Sequence, residues 1–294
     1  MELNSPSISR DDAERSRTLW RLTETIHAVT YFHDECADAM TRLGLKGFWM
    51  GYFAARSAPL GACDPLIVES TFFNFAGHRV RRALPDAWTI ADPGAVIEHR
   101  CVAAALALRD AVSDLDAQTE RVLPLLESAV RATRPFGRIL AAANLNLERR
   151  QDPVERLWSA STCLREFRGD GHVAALIAHN LSGIEAHCLR LCANSAPPSE
   201  HELLQQARGW TLDEWEVAHT GLISHGLVNP DRTISAKGEA IYGSIETVTD
   251  QLGWQPFADG LTSTGIDLLI SLLTPVAAAL DSSGLIPRPN PIGL

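Results

Sequence analysis

Apolar residues recur three and four apart over most of this 294-residue chain, the spacing of helices that bury one face. A polar cap region at 9–12 opens a long first helix expected over 5–42, which Gly44 and Gly47 end. The apolar block 48–57 stops at Pro59 and Gly61, and Asp64 with Pro65 then offers a cap and first turn for a helix over 64–84. Pro85 and an Asp92-Pro93-Gly94 turn separate it from a helix over 95–112, and another fits 118–133. Mixed Pro, Gly, Asn and charge over 134–153 suit a linker, so two units, 1–150 and 151–294, are expected. Helical spacing resumes at 154, breaks at Gly169-Asp170-Gly171 and returns over 172–192.

The stretch 199–252 has a grammar of its own. A short helix over 200–207, the pair Gly209-Trp210, a Thr211-x-x-Glu214 capping box, a helix over 212–225, a strand-like Thr233-Ile234-Ser235 and a helix from 239 follow in order. That is the order of a winged helix of the MarR-like kind. The expected fold is therefore mainly α, with helical domains and a winged-helix module bearing a small β-wing in the C-terminal third. A faint echo links Gly51, Ala54, Ala55 and Ala58 with Gly171, Ala174, Ala175 and Ala178. Internal duplication, or chance in an alanine-rich chain, explains the match. The residues 285–294 hold three prolines and one glycine and read as a tail laid across the surface.

Charge narrows the choice of partners. The net charge is −10, and 24 of the 26 basic residues are arginine. A polyanion is repelled at long range unless bases gather on one face. The helix over 212–225 contains Asp213, Glu214 and Glu216 and no Lys or Arg, and the segment 201–250 holds eight acids against Arg208, Arg232 and Lys237. DNA is thus a doubtful partner, with a packing or dimerisation scaffold as the other reading. The six cysteines form no CxxC pair, which fits reduced thiols in a cytosol. Cys188 and Cys192 lie four apart, as a metal pair or as buried small residues. The most apolar run, 268–280, is too short to span a bilayer, so no membrane partner is expected.

Polar residues set among apolar ones mark the candidate chemistry. His27, Tyr31 and Glu35 would share one helix face, able to orient a proton or to tie two helices together. Arg165, Glu166, Arg168, Asp170 and His172 cluster around two glycines, where backbone can approach a bound group or where Asp170 can cap a helix near Gly171. Trp49, Tyr52, Phe53 and Arg56 form an aromatic run ending in a cation, suited to a flat ligand or to a core. HExxH, GxSxG, Walker and GxGxxG motifs are lacking, which argues against hydrolases and dehydrogenases of standard architecture. No metal site and no particular cofactor is indicated.

The segments Leu-Arg-Glu-Phe-Arg-Gly-Asp-Gly-His-Val-Ala-Ala-Leu (164–176), His-Ala-Val-Thr-Tyr-Phe (27–32), Gly-Tyr-Phe-Ala-Ala-Arg-Ser-Ala-Pro-Leu-Gly (51–61), Pro-Asp-Ala-Trp (85–88) and Pro-Asn-Pro-Ile-Gly-Leu (289–294) together resemble a family of actinobacterial helix-turn-helix proteins. The resemblance spans nearly the whole chain. It implies a fold and a cytoplasmic setting, and no activity. Three functions follow as expectations. The first is a homodimeric, ligand-responsive regulator with a small molecule held between the amino-terminal helices and the 169–172 turn. The second is an enzyme, metal- or haem-assisted or acid–base, using His172 with Asp170, or His27 with Glu35, as acid–base or metal-ligand pairs. The third is a DNA-binding repressor with a basic face assembled from distant arginines.

Overall fold

The structure, a computed structural model, describes residues 8–294. Among these residues there are fifteen α-helices, one 3-10 turn and no β-strand. The chain begins with α1 (Arg10–Phe32), capped by the Ser9 side chain, which accepts from Asp12 N. Positions 5–7 of the expected first helix lie outside the described residues. The helix ends earlier than its periodicity suggests. His33 turns to an extended conformation and its ring Nδ1 accepts from Glu35 N, so it caps a new helix, α2 (Asp34–Arg42).

After α3 (Gly47–Ser57) and the 3-10 turn Ala58–Leu60, the helix expected over 64–84 divides into α4 (Pro65–Thr71) and α5 (Gly77–Ala83). The aromatic segment 72–76 between them turns inward. Then come α6 (Asp86–Ile90), α7 (Pro93–Ala111) and α8 (Leu115–Arg131). The segment expected as a linker contains α9 (Ile139–Leu145), packed on α10 (Pro153–Ala178).

The expected break at Gly169-Asp170-Gly171 is absent, and α10 runs unbroken through it for 26 residues. Close packing accounts for one of these glycines, since a Cβ on Gly171 would lie 2.6 Å from Arg138 Nη1 and 3.1 Å from Leu252 Cβ. Asp170 accordingly caps a different helix, accepting from Ala141 N of α9 at 3.0 Å.

The last third continues with α11 (Gly183–Ala193), α12 (Pro198–Arg208), α13 (Leu212–Ser224), α14 (Ala236–Gly260) and α15 (Ser263–Ser282). The Thr211–Glu214 capping box forms as its spacing predicts. The expected β-wing does not. It is reduced to one isolated antiparallel bridge, Val228 to Ile234. The reason is local: Arg232 takes a left-handed φ of 66°, and Ser235 already caps α14 by accepting from Gly238 N. No length of chain is left to extend the pairing.

Burial of apolar faces gathers these helices around two cores. The first joins α1–α3, α7, α8, the first half of α10, the end of α14 and α15. The second joins the end of α10, α11–α13 and the start of α14. The long helices α10 and α14 therefore serve both. Helix α15 is long and apolar enough, by length and composition, to cross a membrane. Here Ile266, Leu269, Leu273, Val276 and Leu280 form a three-four stripe buried against α1 and α8.

The tail is not merely laid on the surface. Ile286 and Asn290 are buried. The Asn290 side chain accepts from Ile292 N, Gly293 N and Leu294 N and donates to Pro287 O at 2.9 Å, folding the segment into a compact turn.

Candidate functional site

Two hollows lie along α10, divided by an ion pair. Arg56 of α3 reaches Glu166 of α10 through two hydrogen bonds, Nε to Oε1 at 3.0 Å and Nη2 to Oε2 at 3.1 Å. Arg165 approaches the same carboxylate at 2.8 Å and also donates to Glu24 of α1 at 3.1 Å. Burial opposes the charge on Glu166, but Arg165 and Arg56 outweigh it and hold its carboxyl well below the usual range.

The smaller hollow, about 170 Å³, lies among α1, α2, α3, α7 and α10. Its floor is a fixed chain of hydrogen bonds. Thr162 gives its hydroxyl proton to Trp158 O at 2.8 Å, so it accepts from His27 Nδ1, also at 2.8 Å. His27 Nε2 is then the bare nitrogen and accepts from the Tyr31 hydroxyl at 2.8 Å. Burial, with Arg165 nearby, pushes the His27 pKa well below its ordinary value, and burial raises that of Tyr31. The imidazole stays neutral, stacked on Trp158 with centroids 5.6 Å apart. Tyr52 and Arg56 complete the wall, joined at 3.4 Å.

The larger hollow, about 490 Å³, opens between α1, α10, α11, α12, α14, the 71–75 segment and the tail turn. Seven arginines and four carboxylates line it. Arg168 stacks over Trp20 at 4.3 Å and donates to Asp250 at 3.0 Å, and Arg17 reaches the same buried Asp250 at 2.7 Å. His172 repeats the arrangement of His27: Thr249 donates to Ile245 O at 2.7 Å and faces His172 Nδ1 at 2.9 Å. His172 Nε2 has no protein partner among the described residues. Burial pushes the His172 pKa down to about 4, and burial pushes Asp170 up to about 6.

Most of the residues singled out in the sequence meet at these hollows. His27, Tyr31, Tyr52, Arg56 and Glu166 surround the smaller one, and Arg56, Arg165, Glu166, Arg168, Asp170 and His172 line the larger. Two do not. Glu35 sits beyond the helix break and pairs with Arg42 at 2.5 Å. Trp49 packs under Arg79 at 4.4 Å, within the aromatic cluster of Phe53 and Phe75. The pairs His27 with Glu35 and His172 with Asp170 are not formed. The first is parted by the break at His33. In the second, Asp170 serves Ala141 and His172 serves Thr249, because residues two apart on a helix point away from each other.

Sequence reasoning missed Arg190, Arg208 and the tail residues Pro291, Ile292 and Gly293, all of which line the larger hollow. Arg208 donates to Pro291 O at 2.6 Å, stacks on Phe75 at 4.5 Å and keeps a buried Nε without a partner. Arg190 forms no ion pair among the described residues, and burial pushes the pKa of both arginines down. A signal was available for Arg190, a lone cation in the otherwise apolar run 188–192.

The helix-turn-helix segment α12–α13 lies beside this cavity. The three basic residues of the stretch 201–250 are all engaged: Arg208 turns inward to Pro291 O, Arg232 pairs with Glu216 at 2.5 Å, and Lys237 Nζ donates to His225 O at 2.8 Å. Cys188 and Cys192 are buried in the second core. Among the described residues no group of three His, Cys, Asp or Glu side chains is placed to hold a metal ion.

Fold and site together define a mainly helical protein with an arginine-lined cavity, to which α12 contributes Arg208. The chain belongs to the helix-turn-helix family, whose model matches residues 16–287. No match was found among curated proteins or among solved structures.

Proposed function

We propose that this chain is a cytoplasmic regulator of the helix-turn-helix class that binds a small-molecule effector in the larger cavity. The observation that carries this reading is the placement of that cavity, which takes its walls from α1, α10, α11, α12 and α14 at once. An occupant would touch both the first core and the helix-turn-helix segment, as effector-controlled regulators of the MarR-like, winged-helix kind require. The volume of about 490 Å³ falls in the range of small-molecule sites. A homodimer is part of the proposal, supported by large apolar side chains left in solvent on α13, Leu212 and Val217.

Native mass spectrometry of protein purified from its own host tests the reading directly. A retained small molecule is expected, displaced when Val173→Trp fills the cavity. Loss of the reading would follow if no molecule were retained and none in a metabolite panel raised the melting temperature.

A second reading, a DNA-binding regulator, is supported by membership of the helix-turn-helix family. The engaged state of Arg208, Arg232 and Lys237 weighs against strong phosphate contact by α13. Retardation of a labelled duplex at low salt, weakening steeply as salt is added, would establish this reading. Unretarded duplex at 50 mM salt would leave α12 and α13 as a packing or protein-binding unit.

A further inference from the structure

We propose that the larger cavity takes an organic anion, a carboxylate or phosphate carried on a flat apolar body, with Arg190 and Arg208 as its anchors. The proposal rests on the reading of that cavity as a ligand site and names the chemistry of the occupant.

The charges around the cavity divide into two sets. Arg17, Arg56, Arg165 and Arg168 each have a carboxylate within ion-pair distance. Arg190 and Arg208, each partly buried, have none among the described residues, and of the other lining arginines only the exposed Arg21 shares that state. A cation that folding draws partly out of water loses hydration with no protein charge to offset it, and an anionic occupant would supply the missing partner. Arg208 spends one Nη on Pro291 O and leaves Nε bare. Arg190 makes no side-chain hydrogen bond among the described residues. The two lie on neighbouring helices, α11 and α12, and each guanidinium offers the planar fork that grips carboxylate or phosphate with two bonds.

The rest of the lining specifies the remainder of the occupant. Phe72, Phe73, Phe75, Leu176 and Leu189 also line the cavity, apolar surface for an aromatic or other flat body. His172 Nε2 is a fixed acceptor, because Nδ1 is committed to Thr249. A hydroxyl or amine on the body would donate to it. Gly293 lets the tail turn close over Arg190: a Cβ there would lie 2.6 Å from Arg190 Nη1.

Two fluorescent probes with nearly the same aromatic skeleton test the anion requirement. 8-Anilinonaphthalene-1-sulfonate carries the charge; N-phenyl-1-naphthylamine lacks it. We expect the sulfonate to bind the full chain one to one and at least 10-fold more tightly than the neutral dye, and inorganic phosphate to displace it. Arg190→Met and Arg208→Met should each weaken the sulfonate about 10- to 100-fold while leaving the neutral dye unchanged. Cooperative thermal unfolding controls for folding, and removal of an unpaired cation should leave the ligand-free melting temperature equal or higher. Equal binding of both dyes, or sulfonate binding indifferent to the two substitutions, would overturn the anion assignment. Binding of the neutral dye alone, abolished by Val173→Trp, would keep the cavity as a ligand site and reject the anion. Failure of both dyes to bind would remove the ligand-site reading as well.

Discussion

Glu166 answers to two guanidiniums, and its loss would strand Arg56 inside the protein while Arg165 kept Glu24. Its neighbour Asp170 is in the opposite position, a carboxyl pushed up to about 6 from an ordinary 3.8, by burial first and by Glu166 nearby. Folding therefore favours its protonated form. The penalty for ionising it is absent below about pH 4, grows through the interval between the two values and is complete above about pH 6. Asp170→Asn keeps the acceptor for Ala141 N without the charge. It is expected to stabilise the protein by roughly 3 kcal/mol at pH 7, with the gain vanishing near pH 4; urea melts at the two pH values measure it. A gain independent of pH would assign the effect to packing. His27 and His172 behave otherwise. Burial keeps each neutral, and a threonine that has spent its own proton on a helix carbonyl fixes the tautomer, so each presents an unprotonated Nε2.

At the scale of elements, the sequence was read best where a local signal decided the outcome. The Ser9 cap, the Thr211–Glu214 box and the order of α12, α13 and α14 were all legible, because caps and periodicity act over four residues. The failures share a cause, tertiary contact overriding a local rule. Glycines at 169 and 171 look like a break, yet α10 continues because Arg138 and Leu252 need the space over Gly171. His33 looks like a helix interior, yet its ring prefers to cap α2. The site was legible as far as polar residues stand out among alanines on α1, α3 and α10. Arg208 was not, since an arginine on an amphipathic helix normally faces water, and Arg190 was marked only by its apolar neighbours at 188–192. Gly183 provides an element-scale prediction. A Cβ there would fall 2.0 Å from Phe73 O, so α11 cannot keep its seat beside the 73–74 segment. Gly183→Ala should cost more than about 2 kcal/mol of stability and weaken dye binding in the larger cavity. Unchanged thermal unfolding would contradict that contact.

For the whole molecule, the tail closes the circuit between the first residues of the cavity wall and the last. Residues 286–294 contribute Pro291, Ile292 and Gly293 to the lining and an acceptor to Arg208. Deleting 287–294, which spares the buried Ile286, is expected to speed release of the sulfonate dye at least 10-fold in stopped-flow dilution while thermal unfolding stays cooperative. A tail that only rests on the exterior would leave the release rate as it was.

The unbroken course of α10 has a mechanical corollary. A rod of 26 residues is about 39 Å long at 1.5 Å per residue, and the cavity presses on it near and beyond its middle. Pivoting such a rod by about 3° carries its tip roughly 1 Å. The tip is buried in the second core with α11 and α13, so slight swelling or shrinkage of the hollow would reach the far helices by leverage, with no helix having to melt.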